Sequence, residues 1–89
     1  MDKNIIPEVA PTFRVQWEEA QDCWVVLYPE GMVKLSQSAG EIMKRINGES
    51  SIQAIISDLE TTFSNNELEN DVIKFLEVAY ENGWLRNKK

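Results

Sequence analysis

Phe13-Arg14-Val15-Gln16-Trp17 alternates apolar and polar side chains, the period-two signature of a strand with one buried face. Phe13, Val15 and Trp17 fall on one side, Arg14 and Gln16 on the other. The polar run Glu18 to Asp22 connects it to Cys23–Tyr28, CWVVLY, which is apolar on both faces and rich in β-formers. Pro29-Glu30-Gly31 then offers a turn with a glycine position, and Met32 to Leu35 makes a short third strand. Taken in chain order, these segments predict a three-stranded antiparallel meander.

After Leu35 the period lengthens. Ala39, Ile42, Met43 and Ile46 recur at helical spacing, with Ser38 and Glu41 fitting a capping box and Ser36 a rival cap. Asn47-Gly48 ends this helix. A second stripe, Ile52, Ile55, Ile56, Leu59 and Phe63, predicts another helix, with Ser50 and Gln53 at its start. A third carries Leu68, Val72, Phe75, Leu76 and Ala79. It stops at Asn82-Gly83, beyond which Trp84 can fold back onto Ala79 as the hydrophobic contact of a glycine cap. Residues 1–12, with Pro7 and Pro11 and no period, read as an extended arm. Residues 86–89 read as a frayed tail.

The order β-β-β-α-α-α in 89 residues predicts a single α+β domain over 1–89, with a sheet leaning on a three-helix bundle. Helices two and three form a helix-turn-helix pair and the sheet stands where a wing would, so the expected architecture is winged helix-turn-helix-like. That shape suggests DNA, and the charges argue against it. The outward positions of the third helix include Glu67, Glu69, Asp71, Glu77 and Glu81, with Lys74 as the only cation. The whole chain carries a formal charge of −6. Such a surface repels phosphate rather than replacing its counterions, and anionic membranes are disfavoured for the same reason.

Independent chemistry finds little to stand on. The sequence holds no histidine and one cysteine, Cys23, whose apolar strand marks it as a small buried hydrophobe. It has no CxxC, no Asp-x-Asp-x-Asp run and no glycine-rich phosphate loop. A non-enzyme with no metal and no cofactor is expected. No apolar run approaches the ~20 residues of a membrane span. The first residues lack the order of a signal peptide, and a cytoplasmic protein is expected.

Binding then becomes the question. If the strands pair in chain order, Met32–Leu35 lies at a sheet edge with unpaired backbone groups. Lys34 could serve there to blunt aggregation, or the edge could accept a peptide as an added strand. At ~100° per residue, Leu76, Ile73 and Tyr80 run progressively around one flank of the third helix, either as core margin or as the wall of a groove facing that edge. If Cys23, Val25 and Leu27 face the helices, then Trp24, Val26 and Tyr28 face outward. There they would hold a partner or a second copy in a homodimer, unless the arm covers them.

The same residues carry a family resemblance. Gln16-Trp17-Glu18, the run Leu27-Tyr28-Pro29-Glu30-Gly31, Leu35 followed by Ser38-Ala39, and Gly83-Trp84-Leu85 together make the chain resemble the PqqD family over Pro11 to Leu85. Ser36 stands where the family often has asparagine, and Asn47-Gly48 where it often has Asp-Gly. Both are turn or cap positions with equivalent chemistry. The resemblance implies a non-catalytic peptide chaperone of pyrroloquinoline quinone biosynthesis. Such a chaperone binds the precursor peptide PqqA and presents it to PqqE, a radical S-adenosylmethionine enzyme. In recognition elements of this family the leader peptide adds beside the third strand and contacts the third helix. That implies a site of Met32, Val33, Lys34 and Leu35 with Ile73, Leu76 and Tyr80. The alternative is a winged-helix interaction or regulatory module with no modifying enzyme as partner.

Overall fold

Two antiparallel sheets frame the chain. The computed structural model describes residues 1–88. Pro7–Val9 (β1) pairs with Leu85–Asn87 (β5) at the end of the chain. Arg14–Glu18 (β2), Cys23–Tyr28 (β3) and Gly31–Lys34 (β4) form the expected meander, in the order β2-β3-β4. Three helices follow: Gln37–Met43 (α1), Ile52–Thr62 (α2) and Glu69–Glu81 (α3). The α+β class and the element order agree with the sequence pattern; the second sheet is additional.

Each helix is closed by identifiable groups. Ser36 caps α1, its Oγ accepting from the Ala39 N–H at 3.2 Å. Ser38 is therefore not the cap, and Glu41 turns instead to Lys44 (3.2 Å) and Arg45 (2.9 Å). At α2 the cap is Ser51 rather than Ser50, with Oγ accepting from Ala54. Two further N–H groups of that end, on Ile52 and Gln53, donate to the carbonyls of Ile5 and Lys3, each at 2.9 Å. The arm thus satisfies donors that a helix start leaves without partners. The α3 terminus shows the predicted glycine cap. The Trp84 N–H reaches the Ala79 carbonyl and the Gly83 N–H the Tyr80 carbonyl, both at 3.0 Å, with Gly83 at φ +77.

The tail differs most from expectation, because the extended arm pairs with it. Neither is loose, since Glu8 and Arg86 face each other across the β1–β5 ladder and their side chains pair at 2.6 Å. The Lys88 N–H donates to the Ile6 carbonyl at 2.8 Å. Of the tail expected over 86–89, residues 86–88 are anchored, and Lys89 lies outside the described residues.

One core joins these parts. Val26, Leu35, Ala39, Ile42, Met43 and Ile46 meet Ile52, Ile55, Ile56 and Leu59 of α2. Val72, Leu76 and Ala79 of α3 close it with Trp84 and Leu85. Phe63, expected on the α2 stripe, is 48% exposed, because it is the residue after the helix and has left the helical path.

The face of β3 is also reversed. Val26 is fully buried in the core, and Trp24 packs against it. Trp24 lies so close over α1 that a Cβ on Gly40 would fall 2.9 Å from its Cδ1. Tyr28 stacks against Phe13 with ring centroids 6.0 Å apart. Trp24, Val26 and Tyr28 therefore form the inner face and do not offer the outward surface expected of them. Cys23, Val25 and Leu27 take the outer face by strand alternation.

Candidate functional site

β4 borders β3 on one side only, so its other side is a free sheet edge. Its parity follows from one hydrogen bond. The Leu35 N–H donates to the Trp24 carbonyl at 2.9 Å, and these two residues continue the β3–β4 register of Val26 with Val33. In an antiparallel pair, bonded and non-bonded positions alternate. Val33 and Leu35 thus point their amides into the sheet. Met32 and Lys34 point their N–H and C=O groups out along the edge. The available edge is four residues long, about 13 Å at strand rise.

The side chains alternate too. Val33 faces inward and packs against the core, and Leu35 is buried within it. Met32 is 41% exposed and Lys34 is exposed. On α3, Ile73 and Tyr80 are half-buried and pack against the same core. Leu76 is fully buried. It was expected in a groove wall, but it belongs to the inner stripe of α3. The Tyr80 hydroxyl is sealed from solvent with no hydrogen-bond partner, and burial pushes its pKa up.

The pattern alone did not show the clefts beside these elements. The larger, about 600 Å³, opens beyond the end of β4, between Ser36, Gln37 and Ile42 on one side and Leu59, Phe63, Leu68 and Val72 on the other. The signal for it was Phe63, an apolar residue placed at the very end of its helix stripe. A second, about 360 Å³, lies between Trp17, Trp24 and the start of α1. Among the described residues no three acidic, cysteine or histidine groups are placed to hold a metal. No helix there is long and apolar enough to cross a membrane.

The family model described as Coenzyme PQQ synthesis protein D (PqqD) matches residues 23–85, and a relative from Azotobacter vinelandii called PqqA binding protein is 49% identical over 83 residues, covering 92% of this chain and 90% of that one. The chain belongs to the PqqD family. A PqqA binding protein of Methylococcus capsulatus is 42% identical over 86 residues, covering 97% and 92% of the two chains. Among solved structures, the crystal structure of PqqD from Xanthomonas campestris is 30% identical, with a TM-score of 0.59 and coverage of 97% and 98%. The solution structure of the PqqD part of Methylobacterium extorquens PqqCD, described as a stand-alone recognition element for ribosomally made, modified peptides, shares the fold. Its TM-score is 0.74 at 22% identity, covering 90% of this chain and 87% of that one. The two curated relatives are named for binding PqqA, and this chain shares their family.

Proposed function

We propose that this chain binds a PqqA-type precursor peptide by strand addition along β4 and presents it to the radical enzyme PqqE in pyrroloquinoline quinone biosynthesis. The observation that carries the reading is the free edge of β4, with the backbone groups of Met32 and Lys34 directed away from the sheet. The names of the relatives support the identity of the peptide.

Backbone pairing along the edge supplies affinity with little demand on sequence. Selection comes from side chains. Ile73 and the ring of Tyr80 form the flank on α3, with Leu76 supporting them from below. A peptide continuing past Leu35 meets Ser36 and Gln37 and then the apolar cleft lined by Ile42, Leu59, Phe63 and Val72. Holding the peptide beside the enzyme raises its effective concentration to roughly the millimolar range, and the chemistry takes place on the enzyme. We read the architecture as winged helix-turn-helix-like, with β2–β4 as the wing and α2–α3 as the pair, serving peptide rather than DNA. Its place would be the cytoplasm, where such a peptide is made.

The test is a titration of isotope-labelled protein with synthetic precursor peptide, followed by amide NMR. The largest shifts are expected over 31–37 and 73–80. Saturable binding with shifts confined to β1, β5 or the β2–β3 turn would reject the docking edge.

A further inference from the structure

The inner face of the β-meander runs out past the helices at one end. Trp17 and Trp24 are cross-strand partners there, packed edge to face with centroids 5.8 Å apart. Trp24 is covered by α1 at Gly40. Trp17, one strand further out, is left 45% exposed. Between the two indoles and α1 lies the cleft of about 360 Å³, lined by Asp22, Cys23, Leu35, Ser36, Gln37 and Glu41 besides the tryptophans. No lining residue is cationic. The adjoining turn adds Glu19, and neither Glu19 nor Asp22 forms an ion pair among the described residues. Glu41 is already held by Lys44 and Arg45.

An open indole rimmed by unpaired carboxylates is complementary to a cation with a flat or apolar stem. An arginine or lysine head over the ring face gains from the ring quadrupole and from the carboxylates together. An apolar side chain would leave those carboxylates to be desolvated without compensation. The cleft runs across the row Trp17, Trp24 and Leu35 to Ser36 and Gln37, with Trp17 on β2 at one end and the β4 edge strand at the other. A strand paired to β4 therefore leaves Trp17 free.

We infer that the Trp17–Asp22 tip is a second docking surface, which takes an arginine or lysine side chain from a basic patch of a protein partner while β4 holds the peptide. The inference rests on the presentation reading, since a presenter must touch peptide and enzyme at once. It makes the modifying enzyme the partner that carries the basic patch.

The experiment measures binding of the full chain to PqqE and, separately, to the precursor peptide. The variants are Trp17→Ala, Trp17→Tyr and Glu19→Gln/Asp22→Asn, with circular dichroism to verify folding. Asparagine suits position 22, where φ is +53. Trp17→Ala should weaken enzyme binding by about tenfold or more, as for a buried interface aromatic. Trp17→Tyr should keep most of the affinity. The double variant should lose several-fold and show a shallower salt dependence. All three should bind peptide within about twofold of wild type, since surface changes away from a contact are near neutral. Unchanged enzyme binding by Trp17→Ala would overturn the inference and leave the peptide site standing. Parallel loss of peptide affinity would assign the tip to the peptide site instead, and a change in oligomeric mass would assign it to self-association; both overturn it. If the wild-type chain does not bind the enzyme, the presentation reading fails and this inference with it, a result distinct from failure of the peptide titration.

Discussion

Lys34→Pro and Val33→Pro are adjacent changes with opposite expected effects. Lys34 points its N–H out along the free edge, so proline there removes no hydrogen bond of the free protein. Edge strands are where proline is tolerated, and the Val33 backbone before it already has the extended conformation that a following proline requires. The stability change should stay within about 0.5 kcal/mol. An incoming strand, however, would lose one donor and meet the ring. A net backbone hydrogen bond is worth about 1 kcal/mol, and the steric contact adds to it. Peptide affinity should therefore fall by about tenfold. Val33 instead donates into β3, opposite Val26 in the register. Proline there orphans a buried carbonyl and pushes a ring toward the neighbouring strand, for a loss of about 3 kcal/mol or more. Urea denaturation read by tryptophan fluorescence gives the stability half, and calorimetric titration with the precursor peptide gives the binding half. Lys34→Ala controls for the lost charge. If Lys34→Pro is folded and binds peptide like Lys34→Ala, the edge is not where the peptide pairs. If the two prolines destabilise equally, the assigned parity is wrong.

Gly40→Ala sets a helix-propensity gain of about 1 kcal/mol against a Cβ placed 2.9 Å from the Trp24 ring. Overpacking costs about 1–3 kcal/mol, so a net loss of about 1 kcal/mol should appear in denaturation, and a stabilised variant would refute the inward seat of Trp24. Gly83→Ala meets no atom within 4 Å but must hold φ +77, so its loss should be backbone strain alone, about 1 kcal/mol. Tyr80→Phe removes a buried hydroxyl that has no partner; denaturation should show equal or higher stability, by up to about 1 kcal/mol. Glu41 is held below the usual carboxylate range first by its hydrogen bond from Arg45, with Lys44 adding to it and burial opposing. Its contribution is present above the unfolded-state value near pH 4.5 and is lost as pH falls through the lower folded-state value. Glu41→Gln should flatten that acid slope in a pH-dependent melting series.

The main elements were readable because the three helices each bury one stripe and β2 turns a half-covered one to the inner face, and a one-sided stripe imposes its period on the sequence. CWVVLY carries no such imprint. It is apolar on both faces, so alternation within it cannot say which side meets the helices. Its neighbour held the answer. Phe13, Val15 and Trp17 mark the inner face of β2, and pairing of Val15 with Val26 and Trp17 with Trp24 forces those residues inward. The β1–β5 sheet was not legible because each strand is three residues long and its partner lies at the far end of the chain. Too little side-chain pattern exists to encode a contact that is mostly backbone. The choice between Ser50 and Ser51 was equally hidden, since neighbouring serines offer the same group one position apart. Ser51 is selected by the arm, whose carbonyls fix where the helix can begin.

The candidate site divides the same way between backbone and side chain. Met32 and Lys34 offer two donors and two acceptors along the edge. At a net value of about 1 kcal/mol each, they supply about 4 kcal/mol, the equivalent of a millimolar complex. Any tighter or more selective binding must come from side chains, and the α3 flank is poorly open for them. Leu76 is fully buried and the Tyr80 hydroxyl is sealed. A large peptide side chain can lie across Ile73 and the Tyr80 ring but has no pocket at Leu76. The open apolar volume is instead the cleft of about 600 Å³ beyond Leu35, where Phe63 stands exposed. A peptide that only paired with β4 would be held weakly and without preference. One that also reached that cleft would gain about 1.5–3 kcal/mol for a single large side chain buried there, and because the edge hydrogen bonds are common to every peptide, that gain decides which peptide stays.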